Sequence, residues 1–309
     1  MTPHEKRPCP ITIRLAEDMR IRNLAHRTID AYTYHVGCFA DFIQKPLDCA
    51  TPEDVRSFQL HLIDTRKLAY SSFNQAVCAL RYLYTHTIRV SWPVTMVPFG
   101  KRPKTLPVVL GRHEVNELLA CTKNLKQRTF ITTLYATGMR FSEAANLLIH
   151  DIDSQRMQIR ITNGKGAKQR QVPLSPRLLS ELREYWRHYK PTSLLFFGKT
   201  PETTYCVTSI QKAIKASARL AGINKTVTPH TFRHSYATGL LEAGVDLLTI
   251  SRLLGHASFA TTMIYLHCRR EHMISIPSPL DWLPVKQLPT YRPPAENGPD
   301  DNPLQPTTN

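Results

Sequence analysis

The sequence predicts a mainly α protein with a small antiparallel β-sheet: a helical N-terminal domain followed by an α+β domain. Three observations carry that expectation. Apolar residues recur at three- and four-residue spacing through 26–44 and again through 70–89, the signature of helices with one buried face. A proline-rich stretch, 91–107, separates these helices from the rest of the chain. Beyond it, Asn163-Gly164 joins two short segments of strand character, flanked on both sides by helical segments.

Taken in order, residues 1–10 read as a flexible N-terminus and 11–90 as the helical domain. In 26–44 the stripe is Ile29, Tyr32, Val36, Phe39 and Ile43; in 70–89 it is Phe73, Val77, Leu80 and Tyr84. Between them, Thr51-Pro52-Glu53-Asp54 is a helix start, with a hydroxyl cap, proline in the first turn and acids where the helix dipole favours them. Arg14, Arg20, Arg22, Arg27, Arg56, Arg66, Lys67, Arg81 and Arg89 decorate these helices, a collection suited to phosphate contacts. Residues 91–107, with four prolines and three basic residues, read as a linker. The second domain, 108–276, is expected to hold helices at 111–122 and 125–138, then Gly138-Met139-Arg140. A hairpin follows, Met157–Thr162 and Lys168–Leu174 around Asn163-Gly164-Lys165-Gly166, where the glycines supply positive φ angles. Helices are expected at 176–189, 206–221, 230–244 and 246–254. The tail, 277–309, carries nine prolines and is expected to be disordered.

A hydrophobic fraction of 42% over 309 residues supports real cores. The formal charge is +16, and it is uneven. Residues 271–309 hold Lys286 and Arg292 against Glu271, Asp281, Glu296, Asp300 and Asp301, so the first 270 residues carry about +19. A chain so basic attracts a polyanion, with nucleic acid the commonest. No apolar stretch reaches spanning length, so a membrane partner is not expected. The seven cysteines are scattered without a CxxC pair, and the N-terminus lacks the apolar core of a signal peptide. They read as reduced thiols of a cytoplasmic protein.

Four segments of the second domain carry candidate chemistry: ATGMRFSEAANL, TNGKGAKQRQVPL, TPHTFRHSYATGLLEAG and LLGHASFATTMIYLH. Each alone has a structural explanation. Arg140 after glycine can cap a helix, Lys165 can be a solvated turn residue, and Tyr265 can be a core aromatic. His230 and His234 have HxxxH spacing, but the glutamate of a metalloprotease and a third ligand are missing, so no metal is expected. The TPH start is informative about geometry. With Thr228 as cap and Pro229 in the first turn, positions 230 and 233 lie about 60° apart on one helix face. Phe232, Tyr236 and Leu240 fall on another face, suited to the core.

Together the four segments resemble the catalytic domain of the tyrosine recombinase, or phage integrase, family, and 11–90 resembles that family's core-binding domain. The matching positions are Arg140 in TGMRFSE, Lys165 in the GKG hairpin, His230 and Arg233 in HTFRH, His256 in LLGH and Tyr265 nine residues later. Phe232 stands where leucine is more frequent, a change expected to affect packing alone. The resemblance implies a site-specific recombinase that cuts and rejoins DNA through a 3′-phosphotyrosine and a Holliday junction, with no metal or nucleotide cofactor. It also implies a C-shaped clamp on double-stranded DNA, two protomers per site and four in a synapse. In such enzymes a segment after the tyrosine docks on the neighbouring protomer, and 268–276 is the corresponding stretch here.

The residue types suit that chemistry. A phenol of pKa ~10 is mostly protonated at neutral pH and needs a proton acceptor and an electrophilic phosphate. Arg140 and Arg233 can clamp nonbridging oxygens with planar, permanently charged guanidiniums, a task lysine does not duplicate. By resemblance, Lys165 protonates the leaving 5′ oxygen, His230 assists proton transfer at the tyrosine, and His256 donates to the phosphate. Glu143, three positions after the first arginine, is by resemblance a support for Arg140. Rival readings are a type IB topoisomerase, a catalytically silent DNA-binding protein of this fold, and a metal-dependent nuclease, for which no carboxylate cluster is evident.

Overall fold

The computed structural model describes residues 9–90, 95, 97–101, 106–162, 169–256 and 258–265. The architecture is mainly α with one three-stranded antiparallel sheet, in two compact units, Met1–Thr105 and Leu106–Asn309.

The described part of the first unit contains α1 (Pro10–Ile21), α2 (His26–Ile43), α3 (Pro52–Leu60) and α4 (Tyr70–Tyr82). The α2 stripe buries Ile29, Val36 and Phe39 against Phe73, Val77 and Leu80 of α4, and Leu15, Met19, Phe58 and Tyr84 complete the core. Thr51 and Asp54 cap α3 reciprocally: the Asp54 N–H donates to Thr51 Oγ1 at 3.3 Å and the Thr51 N–H to Asp54 Oδ2 at 2.6 Å. Such a cap is worth ~1 kcal/mol. After α3 and α4 the backbone continues through 61–65 and 83–87 as a wider π-type turn. Residues 97–101 of the proline-rich stretch pack back onto these helices. Val97 is buried, its carbonyl accepts from Arg81 Nε at 2.8 Å, and Asn74 and Gly100 hydrogen-bond reciprocally. Of the nine basic residues singled out between 11 and 90, five lie on these helices and four in the segments beside them; Arg81 is half-buried and the other eight are exposed.

The second unit is built on α5 (Arg112–Ala120), α6 (Leu125–Thr137), α7 (Phe141–Ala145), α8 (Pro176–Tyr189), α9 (Val207–Leu220), α10 (Pro229–Glu242), α11 (Leu247–Leu254) and α12 (Ala260–Met263). Strands β1 (Ile152–Asp153), β2 (Gln158–Ile161) and β3 (Arg170–Pro173) form the sheet in that order. The β2–β3 register sets Ile159 opposite Val172 and Ile161 opposite Arg170. Period-two alternation turns Ile159, Ile161 and Val172 inward. Helix α6 runs through the core, burying Phe130, Ile131 and Leu134, and packs against α5, α8, α9 and α10. Two of its buried threonines return their hydroxyls to the helix, Thr133 Oγ1 to the Thr129 carbonyl and Thr137 Oγ1 to the Thr133 carbonyl. A separate small core joins Ala237 and Leu241 of α10, Ile250 and Leu254 of α11, and Tyr265. The turn of the expected hairpin, including Lys165, lies outside the described residues, as do 268–276 and the proline-rich tail. No described helix is long and apolar enough to cross a membrane.

Candidate active site

Three element ends in the second unit meet at one place: the C-terminus of α6, the N-terminal half of α10 and the C-terminus of α11. Helix α6 stops at Gly138, whose φ of +63° is left-handed, and the chain turns through buried Met139 to Arg140. Arg140 then begins α7. Its backbone N–H donates to Glu143 Oε2 and its Nη1 to Glu143 Oε1, both at 2.8 Å. Its Nη2 reaches the Gly255 carbonyl at 3.4 Å.

Glu143 has a side chain 1% exposed and serves a second guanidinium. Arg170, the first residue of β3, donates from Nη1 to Oε1 at 3.0 Å and from Nη2 to Oε2 at 2.7 Å, while its Nε donates to the Leu253 carbonyl at 2.7 Å. Burial pushes the Glu143 carboxyl up. The hydrogen bonds from Arg170 and from the Arg140 backbone outweigh it and hold the group at about 2. A forked guanidinium matched to both carboxylate oxygens is the geometry that makes such a buried charge tolerable.

Arg233 sits one turn into α10, whose start is fixed by Thr228 and Thr231 capping each other, with Pro229 in the first position. It is 4% exposed. Its Nη1 donates to the Gly138 carbonyl at 2.7 Å and its Nη2 to the Leu254 carbonyl at 2.6 Å. These carbonyls terminate α6 and α11, so the cation satisfies orphan acceptors at two negative dipole ends. Burial, then the neighbouring Arg140, lowers the guanidinium to about 10, which leaves it charged at neutral pH.

The histidines differ in environment. His230 is partly exposed and hydrogen-bonds no described residue; desolvation of its ring, then Arg233 and Arg140, lowers its imidazole. His256, just beyond Gly255, hydrogen-bonds through Nδ1 to Thr262 Oγ1 at 2.7 Å and lies nearly parallel to the Tyr265 ring, centroids 6.5 Å apart. Burial and the charges of Arg233, Arg140 and Arg170 lower it to about 4, so it is neutral at pH 7. Tyr265 is 1% exposed, and His234 Nδ1 lies 3.1 Å from its phenol oxygen. The structure thus brings Arg140, Glu143, Arg233, His256 and Tyr265 together, with His230 at the edge near the two arginines. Lys165 lies outside the described residues.

Sequence reasoning passed over two members of the cluster. Arg170 lay within KQRQVPL and His234 within HTFRH, but a strand arginine and a second helix histidine each have ordinary explanations. Among the described residues no group of three His, Cys, Asp or Glu side chains converges to hold a metal ion. The cluster presents guanidiniums, neutral imidazoles and a phenol, a set matched to an anionic phosphodiester and proton transfer around it.

Comparison with known proteins agrees with this chemistry. Residues 108–272 match the phage integrase family, and 12–94 match the phage integrase N-terminal SAM-like domain. The putative integrase/recombinase y4qK of Sinorhizobium fredii is 41% identical over 276 residues, covering 89% of this chain and 90% of that protein. Tyrosine recombinase XerD of Lacticaseibacillus casei is 33% identical over 275 residues, covering 82% and 92% respectively. The fold is also that of the XerH site-specific recombinase in its post-cleavage complex with a palindromic difH substrate. That match has a TM-score of 0.66 and 23% identity, over 86% of this chain and 84% of that one.

Proposed function

This chain belongs to the phage integrase family and is a site-specific tyrosine recombinase, and on that premise we propose that Tyr265 is the nucleophile. The observation that carries the assignment is the convergence of Arg140, Arg233, His256 and Tyr265 on one site in the second unit. In the proposed reaction, Tyr265 attacks a phosphodiester of double-stranded DNA and forms a 3′-phosphotyrosine, and the 5′ hydroxyl leaves. Arg140 and Arg233 hold the nonbridging oxygens, His256 donates a hydrogen bond to the phosphate, and Lys165 protonates the leaving oxygen. His230, near both arginines, assists proton transfer at Tyr265. Glu143 orients Arg140. The phenol is buried, so it meets phosphate only after its surroundings shift.

The division of labour follows the two units: 11–90 contacts DNA with its exposed arginines, and 108–276 performs the chemistry. Two protomers occupy a site, four form the synapse, and strands exchange through a Holliday junction, in the cytoplasm and without a metal. The test is a nicked duplex carrying the sequence that the protein selects from a random pool, incubated in EDTA. The expected result is a covalent adduct at the 3′ phosphate, absent in Tyr265→Phe. Metal-dependent cleavage without an adduct points instead to a nuclease, relaxation of plasmids of any sequence to a topoisomerase, and binding without an adduct to a silent DNA-binding protein.

A further inference from the structure

We propose that Arg170, at the start of β3, is a positioning residue for strand cleavage: it locks the Glu143 carboxylate and, through it, the guanidinium of Arg140. The inference rests on the assignment of Arg140 to the phosphate oxygens and of Tyr265 as nucleophile. Its ground is the way one carboxylate is shared. Glu143 Oε1 accepts from Arg140 Nη1 at 2.8 Å and from Arg170 Nη1 at 3.0 Å. Oε2 accepts from the Arg140 backbone N–H at 2.8 Å and from Arg170 Nη2 at 2.7 Å. Arg140 supplies its pair of bonds from its backbone and from the very group to be placed, so the external reference is Arg170. The last torsion of a glutamate is soft and broad, and a fork that spans both oxygens fixes the carboxylate plane. With that plane fixed, so is the direction in which Oε1 meets Arg140 Nη1.

Arg170 is itself held by other elements. Its Nε donates to the Leu253 carbonyl at the end of α11 at 2.7 Å, and its backbone stands opposite Ile161 in the β2–β3 ladder. Its Cδ and Nη1 lie 3.0 Å from where a Cβ on Gly255 would stand, so glycine there leaves room for the side chain. Exposure then separates the two guanidiniums: the Arg140 side chain is 24% exposed and that of Arg170 10%. All three side-chain nitrogens of Arg170 are engaged. Arg140 Nε hydrogen-bonds no described residue, and Arg140 Nη2 makes only a long bond, 3.4 Å, to the Gly255 carbonyl. Arg140 therefore has donors to offer a phosphate, and Arg170 acts through it. Neutralising a buried carboxylate is the simpler role, and any cation at 170 would fill it. Only a planar fork also fixes the carboxylate plane, so lysine separates the two roles.

The test is single-turnover adduct formation on the nicked duplex, saturated with protein, for wild type, Arg170→Lys, Arg170→Gln, Arg140→Ala and the two double variants. A mobility shift reports DNA affinity, and denaturant titration reports folding. We expect Arg170→Lys to fold and to bind DNA within about twofold of wild type, because affinity follows the phosphates engaged and Arg170 engages none. Its adduct forms ~10–10²-fold more slowly, the loss that a misplacement of about 1 Å brings. Arg170→Gln, which also removes the charge, loses at least as much. The Arg140→Ala background is itself ~10²–10³-fold slower. There neither change at 170 lowers the rate further, since residues that act through one group are not additive. Should one of the 170 variants not fold, the other decides. A wild-type rate in a folded variant overturns the proposal. So does a loss of the same size in the Arg140→Ala background, which places the effect elsewhere. Failure of both variants to fold overturns it too, by making Arg170 a support of the fold instead of the site. If Arg140→Ala forms adduct at the wild-type rate, or Tyr265→Phe retains the adduct, the reading of the site falls and this inference with it.

Discussion

At Glu143 one carboxylate, almost wholly buried, faces two guanidiniums, Arg140 from its own turn and Arg170 from β3. Because its folded pKa is depressed from 4.5 to about 2, its contribution to stability is full above pH 4.5 and fades as pH falls toward 2. At 1.36 kcal/mol per unit the linkage is worth roughly 3 kcal/mol. Glu143→Gln also leaves two arginines without their counter-charge, at a cost of about 3–5 kcal/mol at neutral pH. Denaturant titration at pH 7 and pH 3 should show a gap between wild type and variant that shrinks by about 2 kcal/mol at the lower pH. A gap of constant size would mean that the carboxylate charge is not what stabilises this corner. Glu143 was legible three residues after Arg140, but Arg170 was not. In a strand of alternating pattern an arginine reads as a solvated position, and only the approach of α7 and the α11 C-terminus to the start of β3 gives it Glu143 and the Leu253 carbonyl as partners. His234 was obscured for a similar reason, since its partner lies 31 residues away.

The elements meet at the site through their ends, and Gly138 is where the constraint is tightest. Its φ is +63°, and a Cβ there would overlap the Tyr236 ring and approach Leu254 Cδ2 at 2.9 Å, while its carbonyl accepts from Arg233. Gly222 has a similar φ of +68° but open space around it. A non-glycine residue in this conformation costs ~1–3 kcal/mol from backbone strain alone. Gly138→Ala should therefore cost more than Gly222→Ala, about 2–4 kcal/mol against ~1, or a fall in Tm of roughly 4–16 °C for a unit of this size. Equal losses in thermal unfolding would show that the site corner relaxes freely. Most helices were legible because amphipathic stripes and caps mark them: Thr51, Ser175, Thr228 and Asp246 each accept from a backbone N–H at the start of their helix. The five residues of α7 and the four of α12 are too short to display a period, and the two-residue β1 is an edge defined only by its partner β2.

Across the whole chain the charge is the property that composition reported most directly and that no single residue explains. The formal +16 is concentrated before residue 271, and in the first unit Arg14, Arg20, Arg22, Arg27, Arg56, Arg66, Lys67 and Arg89 are exposed. Arg81 is the exception, spent on the Val97 carbonyl and the face of Phe99, 4.3 Å from its guanidinium carbon. Exposed cations that neutralise phosphates release condensed counterions, so affinity falls with salt in proportion to the phosphates engaged. If about 6–10 phosphates are engaged, binding should weaken ~10³–10⁵-fold between 50 and 200 mM salt, with a log–log slope of roughly −5 to −9. Replacing Arg20 and Arg27 together should flatten that slope by up to about 2 and weaken selected and unselected sequences alike, because phosphate contacts position the protein without reading bases. Binding titrations over that salt range decide the matter. An unchanged slope in the double variant would assign these two arginines to solvent, and a slope near zero in wild type would assign the whole positive field to solubility instead of DNA.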